Sequence, residues 1–519
     1  MRMRHFRWSI RCAGLWLFVV SCGPAAQSLP VVDPGEQVNG AQGRVTPAMA
    51  ADIDEFAAQI LATNIVPGMG LAVATSDGIA YAKGYGYANV GSRRAATADT
   101  QFYIASTTKA LTALAGAVLH DLERLDLDAP LSHYLPHVQM HPELSADDIS
   151  LRDLLTMSHG IEPIGPVDLR TAFTGDFTYP ELQTLLRHHS PAQDGRDFRY
   201  SNLGYNVFSL VLEDRFRGGW KQVVRDTVLL PLQMNSTTAF VTQADQVRLA
   251  MPYRSRGSGL ERLRYAKHDE TMQAAGGHIS TANDMARFVA AQLGAGRSGG
   301  QQVFPSRVIE DTHRQQVPQD RRLGPYERYG WGLGWDLARY DEDMVIQRFG
   351  GFTGFSSHVS FMPEHDLGLV VLANAGGPAG MLGDMVARFA YRRVLGESGV
   401  DARFDEELRG TMEMINSFSG RDLATRRARP QTTPLPLAAY AGEYTSPVLG
   451  RMRWTWEEDR LLVRWGVAES TVEVYDGAQY QLRVELLGGG AVVTFDVPNG
   501  AVRPAAFEFL KQTFTRTSS

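Results

Sequence analysis

The sequence predicts an α+β protein: an antiparallel sheet flanked by helices and broken by a helical insertion, with a small all-β unit appended at the C-terminal end. Three observations carry this. Residues 71–75 and 79–83 flank Ser76-Asp77-Gly78, a hairpin signal, and Leu369-Val-Val-Leu-Ala-Asn374 reads as a buried strand far downstream. Between them, apolar residues recur at helical spacing behind loop-to-helix transitions. After residue 436, short alternating runs such as Leu461-Leu-Val-Arg-Trp465 and Ala491-Val-Val-Thr-Phe495 are separated by Gly442, Asp476-Gly477, Gly488-Gly-Gly490 and Asn499-Gly500.

Taken in order, residues 1–21 read as a secretory signal. Arg2, Arg4, His5, Arg7 and Arg11 make a basic start, and residues 12–20 form an apolar core too short to span a bilayer. No adjacent arginine pair precedes that core. Residues 22–45, rich in Gly, Pro, Gln and Val, read as a tether. Thr46-Pro47 opens a helix over residues 46–63. Further helices are expected from Ser106 to about Glu123, from Ser150 to Gly160, from Tyr200 to Glu213, and after Ser280, read as the cap of its helix. Residues 161–199 are mixed and loop-rich. The main unit is bounded at 46–420, a linker at 421–436 and the β unit at 437–519.

Composition narrows the function. Of 519 residues, 44% are hydrophobic and 21% charged, as in globular proteins, and two or three domains are expected at this length. The net charge of −6 and the absence of a long basic run give nucleic-acid binding no support. Cys12 and Cys22 are the only cysteines and both lie in the leader region, so a thiol nucleophile and a zinc–thiolate site are excluded downstream of it.

Ser106-Thr107-Thr108-Lys109 is the motif with the most chemistry. Positions three apart on a helix share a face, so the Lys109 amine can reach the Ser106 hydroxyl. Serine attacks poorly until a base takes its proton. A lysine becomes that base when it is desolvated or crowded by another cation. Only five lysines occur (Lys83, Lys109, Lys221, Lys267 and Lys511), and only Lys109 has a serine three residues before it. The alternative is an ordinary helix start with Ser106 as its cap.

Tyr200-Ser201-Asn202 is the second constellation. A phenol can relay a proton if a cation lowers its pKa, and asparagine can bind a carbonyl or steady the lysine. The alternative is a helix cap beside a core aromatic. Arg348-Phe349-Gly350-Gly351 is the third. Its glycines let a ligand approach the strand closely, an exposed N–H there can join an oxyanion hole, and Arg348 offers positive charge to a substrate carboxylate and to the tyrosine. Two decoys are set aside. Tyr87-Ala88-Asn89 reads as strand or turn, and Gly296-Arg-Ser298-Gly-Gly300 lacks the strand before it that a nucleophile elbow needs. His159 and His278 read as packing or capping residues.

In this order the motifs resemble the serine β-lactamase and penicillin-binding-protein superfamily, closest to its class C-like branch of peptidases, D-aminopeptidases and esterases. Gly84-Tyr-Gly-Tyr-Ala-Asn, Leu151-Arg-Asp-Leu-Leu-Thr, Gly276-Gly-His-Ile-Ser-Thr and Tyr329-Gly-Trp-Gly-Leu-Gly-Trp335 look like the family too, so the likeness runs from about residue 50 to 395. The resemblance implies a β-lactamase/transpeptidase-like fold. It implies Ser106 as acylated nucleophile, Lys109 as its activator, Tyr200 as proton shuttle and Asn202 as its companion. Gly350 falls on the glycine of the K-T-G or H-x-G strand, and Gly351 where an N–H completes the oxyanion hole. Arg348 departs from the family's lysine or histidine, and Met157 from a common histidine, with an expected effect on packing. Residues 437–517 resemble the lipocalin-like barrel appended to many such hydrolases. Val19-Val20-Ser21-Cys22 resembles a lipobox, which implies lipid on Cys22, a membrane tether and a periplasmic location; a plain signal cut near Ala25 or Ala26 is the alternative. The expected activity is hydrolysis of small peptides or amides through an acyl-enzyme, with no metal or organic cofactor. An esterase is the runner-up, and a penicillin- or peptide-binding sensor that barely turns over is the alternative from another class.

Overall fold

The computed structural model describes residues 44–517 except 257–258, 265–266 and 487–488. The expected signal, Cys22 and nearly all of the tether lie outside these residues. The main sheet has nine strands: β1 (Gly68–Thr75), β2 (Gly78–Asn89), β3 (Arg94–Ala95), β4 (Val317–Leu323), β5 (Tyr326–Trp331), β6 (Asp336–Tyr340), β7 (Asp343–Phe352), β8 (Phe355–Met362) and β9 (Leu367–Ala373). Their order across the sheet is β4-β5-β6-β7-β8-β9-β1-β2-β3. The first hairpin thus joins the late strands directly, with Met69 opposite Ala373 in the antiparallel β1–β9 pair.

β1, β8 and β9 are buried at every position, which explains the nearly unbroken apolar sequences of β1 and β9; β8 buries Ser356, Ser357, His358 and Ser360 among its apolar residues. Side chains on a strand alternate between faces. Leu71 and Val73 accordingly enter one core and Ala72 and Ala74 the other. The principal helices are α1 (Pro47–Ala62), α2 (Thr108–Asp121), α3 (Leu203–Arg215), α4 (Ala282–Leu293), α5 (Pro378–Val394) and α6 (Val400–Ala428). α1 and α5 cover the Leu71 face, where Phe56 stacks on Phe389 at 4.3 Å between ring centres. α4 and the helical insertion cover the other. α2 is buried almost all round, as a helix inside a helical layer must be. None of the helices among the described residues is long and apolar enough to cross a membrane.

The C-terminal strands, from Gly442–Ser446 to Gln512–Arg516, form a second nine-stranded sheet. Its edge strands Ala468–Thr471 and Glu473–Asp476 are consecutive in the chain, and the Glu485 N–H donates to Ser470 Oγ at 2.8 Å across the gap, so the barrel is nearly closed. Trp454, Trp465, Phe495, Phe507 and Phe514 fill it.

Three local expectations are corrected. The stretch read as a linker from 421 is helical to Ala428, because Arg426 pairs with Glu473 and Glu485 of the barrel and anchors the end of α6. Thr281, not Ser280, caps α4, accepting from the Asp284 N–H at 3.1 Å, since Ser280 is held in a short strand with Phe102. The loop-rich region 161–199 contains the helices Pro166–Leu169 and Tyr179–Leu185, the second with a capping box at Thr178 and Glu181.

Candidate active site

Ser106 lies in the 3₁₀ turn Ala105–Thr107 that leads into α2, and it caps nothing. Ala105 takes φ +47°, a left-handed conformation uncommon for a residue with a Cβ. Strand β8 pins this turn: Ser357 Oγ donates to the Ile104 carbonyl at 2.7 Å and lies 2.8 Å from Thr107 Oγ1. β7 presses against it from the same side. A Cβ on Gly350 would sit 2.2 Å from the Ile104 oxygen and 3.1 Å from the Ser106 nitrogen. Gly350 therefore admits the serine turn itself, not a ligand as its place on the strand had suggested. At Gly351 the space is open.

Lys109 is completely buried, whereas Ser106 is part-exposed. The Lys109 Nζ stands 3.1 Å from Ser106 Oγ, 2.7 Å from Asn202 Oδ1 and 2.7 Å from the Ala275 carbonyl. The last two oxygens only accept. A neutral amine that donates to both keeps its lone pair for the Ser106 hydroxyl. Burial pushes the Lys109 amine below the ordinary lysine range, and the Arg348 charge adds to that while Tyr200 opposes it. Asn202 precedes α3 but makes no side-chain cap, so its amide oxygen is free for the lysine.

The Tyr200 hydroxyl donates to Ser106 Oγ at 2.8 Å. Its backbone neighbours are tied to Met157: the Arg199 N–H donates to the Met157 carbonyl at 3.0 Å and the Ser201 N–H to its Sδ at 3.2 Å. Met157 thus does more than fill space, since it fixes the segment that carries the phenol. Burial alone would raise the Tyr200 phenol. The Arg348 charge first, then Lys109 and the hydrogen bond to Ser106, together outweigh it and bring the phenol down to about 8.

Arg348 is 5% exposed. Its Nη2 donates to the Tyr200 oxygen at 3.1 Å, its Nη1 to Asp336 Oδ2 at 2.9 Å and its Nε to the Phe349 carbonyl at 3.1 Å. Asp336 is 1% exposed and also meets Arg328 at 3.3 Å. The expected carboxylate clamp is corrected accordingly: the guanidinium is buried and engaged with the tyrosine and Asp336.

The structure therefore joins Ser106, Lys109, Tyr200, Asn202 and Arg348 in one hydrogen-bonded group, with Gly350 behind the turn and Gly351 beside it. The Ala275 carbonyl and Asp336 were missed. A backbone acceptor leaves no side-chain signal, and Asp336 stands on a neighbouring strand with no motif of its own. Tyr87-Ala88-Asn89 ends strand β2, as expected; Ser298, expected in a surface loop, lies in a tight hairpin of two-residue strands that follows α4. Among the described residues, His120, Asp126 and Asp128 are close enough to share a cation. Their own bonds account for the grouping: Asp128 pairs with Arg152 at 2.6 Å, and His120 Nδ1 accepts the Leu127 N–H at 3.2 Å.

Comparison with known proteins places the chain in a family. The family model described as Beta-lactamase matches residues 53–390, and the chain belongs to that family, whose members are generally serine hydrolases. Protein flp of Staphylococcus aureus is 26% identical over 345 residues, 64% of each chain, so the chain spans less than two thirds of that relative's length. Unguisins hydrolase ungD' of Aspergillus campestris is 26% identical over 448 residues, 81% of this chain and 80% of that one. The octameric penicillin-binding protein homologue from Pyrococcus abyssi shares the fold, with a TM-score of 0.58 at 20% identity over 90% of this chain and all of that one.

Proposed function

We propose that the protein is an exported serine hydrolase that cleaves small peptides or amides through an acyl-enzyme on Ser106. One observation carries the reading: Ser106 Oγ stands between a buried lysine amine at 3.1 Å and a tyrosine hydroxyl at 2.8 Å. The neutral Lys109 amine, with Tyr200, takes the Ser106 proton as Oγ bonds to the substrate carbonyl carbon. The Ser106 and Gly351 N–H groups stabilise the oxygen that becomes negative. Tyr200 then gives its proton to the leaving nitrogen as the carbon–nitrogen bond breaks. A water molecule, deprotonated along the same path, releases the acid and restores Ser106. The name of the fungal relative, a hydrolase, agrees with this class of reaction and carries no substrate to this chain.

Ester cleavage is the second reading. The engagement of Arg348 with Asp336 removes the strongest argument for a carboxylate-bearing peptide, and the same serine chemistry serves an ester. The test is a panel of nitrophenyl esters, D- and L-aminoacyl anilides, short linear peptides and nitrocefin, run beside fluorophosphonate labelling and intact mass over time. The expected results are turnover of an anilide or peptide, one transient adduct on Ser106, and loss of both in Ser106→Ala. Activity that survives Ser106→Ala rejects the mechanism, and a permanent adduct without turnover favours the sensor.

A further inference from the structure

A buried carboxyl group that the proposed chemistry does not use lies behind the lysine. Asp168 sits in the helical stretch 166–174, where Pro166–Leu169 runs into the π-type turn Arg170–Thr174. Asn206 Nδ2 donates to Asp168 Oδ1 at 2.8 Å and to Gln273 Oε1 at 2.9 Å, and lies 3.4 Å from Thr171 Oγ1. Asp168, Thr171, Asn206 and Gln273 are each 9% exposed or less.

Two members of this cluster, Asn206 and Gln273, are each one short step from an atom that holds Lys109. Asn206 lies one helical turn beyond Asn202, whose Oδ1 accepts from Nζ. Gln273 lies two residues before Ala275, whose carbonyl accepts from Nζ. The charged and titratable groups that face Lys109 are Tyr200, Arg348 and Asp168, of which Tyr200 and Asp168 favour the ammonium and Arg348 opposes it. Around Asp168, Lys109 is the charged neighbour and Asn206 the neutral donor; burial pushes the carboxyl up to about 7 against their pull.

The opposite side of the same stretch is held by the barrel. Leu169 belongs to the barrel's apolar core, Phe173 stacks on Trp465 at 5.5 Å, and the Val467 N–H donates to the Phe173 carbonyl at 2.7 Å. Residues 169 and 173 share one side of the helical stretch and residues 168 and 171 another. The barrel thus grips one side while the other reaches toward the lysine.

We propose that Asp168 is a positioning residue for Lys109: through Asn206 and Gln273 it orients the two oxygens that hold the amine, it sets one buried carboxylate behind that amine, and the barrel's grip on Leu169 and Phe173 keeps it there. This rests on the reading of Lys109 as the base. The test follows the rate at which a fluorophosphonate labels Ser106 in the full-length protein, from about pH 5 to pH 10. Asp168→Asn keeps an oxygen for Asn206 and removes the charge. Asp168 is ionised above about pH 7; there, without that anion, the ammonium loses its proton more readily, so the part of the acid limb above about pH 7 moves to lower pH by roughly half a unit to one unit. Thr171→Val alters the packing and no charge, so its limb stays in place whatever its rate. If Asp168→Asn does not fold, Gln273→Glu adds a carboxylate to the same cluster, and the limb moves up. A limb unmoved by the charge-changing variant overturns the proposal, and so does a limb that Thr171→Val moves as far. A wild-type chain not labelled at Ser106 overturns the serine-hydrolase reading instead, which keeps the two failures apart.

Discussion

Two basic side chains flank the Tyr200 phenol, Lys109 from the helical layer and Arg348 from the sheet, and their surroundings differ in kind. Lys109 is fully buried and bonded to neutral oxygens, the amide of Asn202 and the carbonyl of Ala275. Neutral oxygens orient an amine without repaying the cost of burying its charge, so the lysine is driven toward its neutral form. Arg348 is also buried, but it faces the Asp336 carboxylate at 2.9 Å. It cannot lose its proton, and its partner makes the buried charge tolerable. Burial of the same nominal charge thus yields a base on one side of the phenol and a fixed positive field on the other. The partner atoms, more than the residue types, assign those parts.

Replacing the base with a permanent charge breaks this contrast most severely. Lys109→Arg is expected to slow fluorophosphonate labelling of Ser106 by about 10³-fold to 10⁴-fold, because a guanidinium cannot accept the serine proton. Labelling within tenfold of wild type would mean that another group is the base. Tyr200→Phe removes the hydroxyl between the cations and leaves both in place; steady-state hydrolysis is expected to fall by about 10²-fold to 10³-fold. Arg348→Met sharpens the comparison from the sheet side. Without that cation the phenol rises from about 8 toward its ordinary value. The rate profile should then shift to higher pH, with a loss of about 10-fold to 10²-fold at neutral pH. Asp336 also loses its closest partner, and chemical denaturation should show about 3 kcal/mol less stability. Adding Asp336→Asn should recover part of that stability and none of the rate, which separates the field from the fold.

What could be read in the sequence follows from how far apart the interacting residues are. Ser106 and Lys109 were legible because three residues along a helix fix their relation locally. The first hairpin and the buried β9 were legible because their apolar patterns reflect the burial of each strand. Tyr200 and Asn202 gained meaning through resemblance, and only the folded chain reveals that Asn202 leaves its helix uncapped. The engagement of Arg348 was hidden, since Asp336 reaches it from the adjacent strand, where Asp336 pairs with Gln347. The arginine-rich stretch near 426 has a linker's composition, yet ion pairs with barrel residues distant in sequence keep it helical. Asp168 lies in a region without periodicity, and its surroundings come from three separate segments.

The most direct test of the central claim is the protonation state of one amine. With five lysines in the chain, labelling them with ¹³C at the ε-carbon makes a pH titration by NMR tractable, and the signal lost in Lys109→Met identifies Lys109. The account predicts that this signal titrates well below the ordinary lysine value of about 10.4, while that of Arg348→Met moves back up because a neighbouring cation has gone. A Lys109 that stays an ammonium up to that ordinary value would contradict the account.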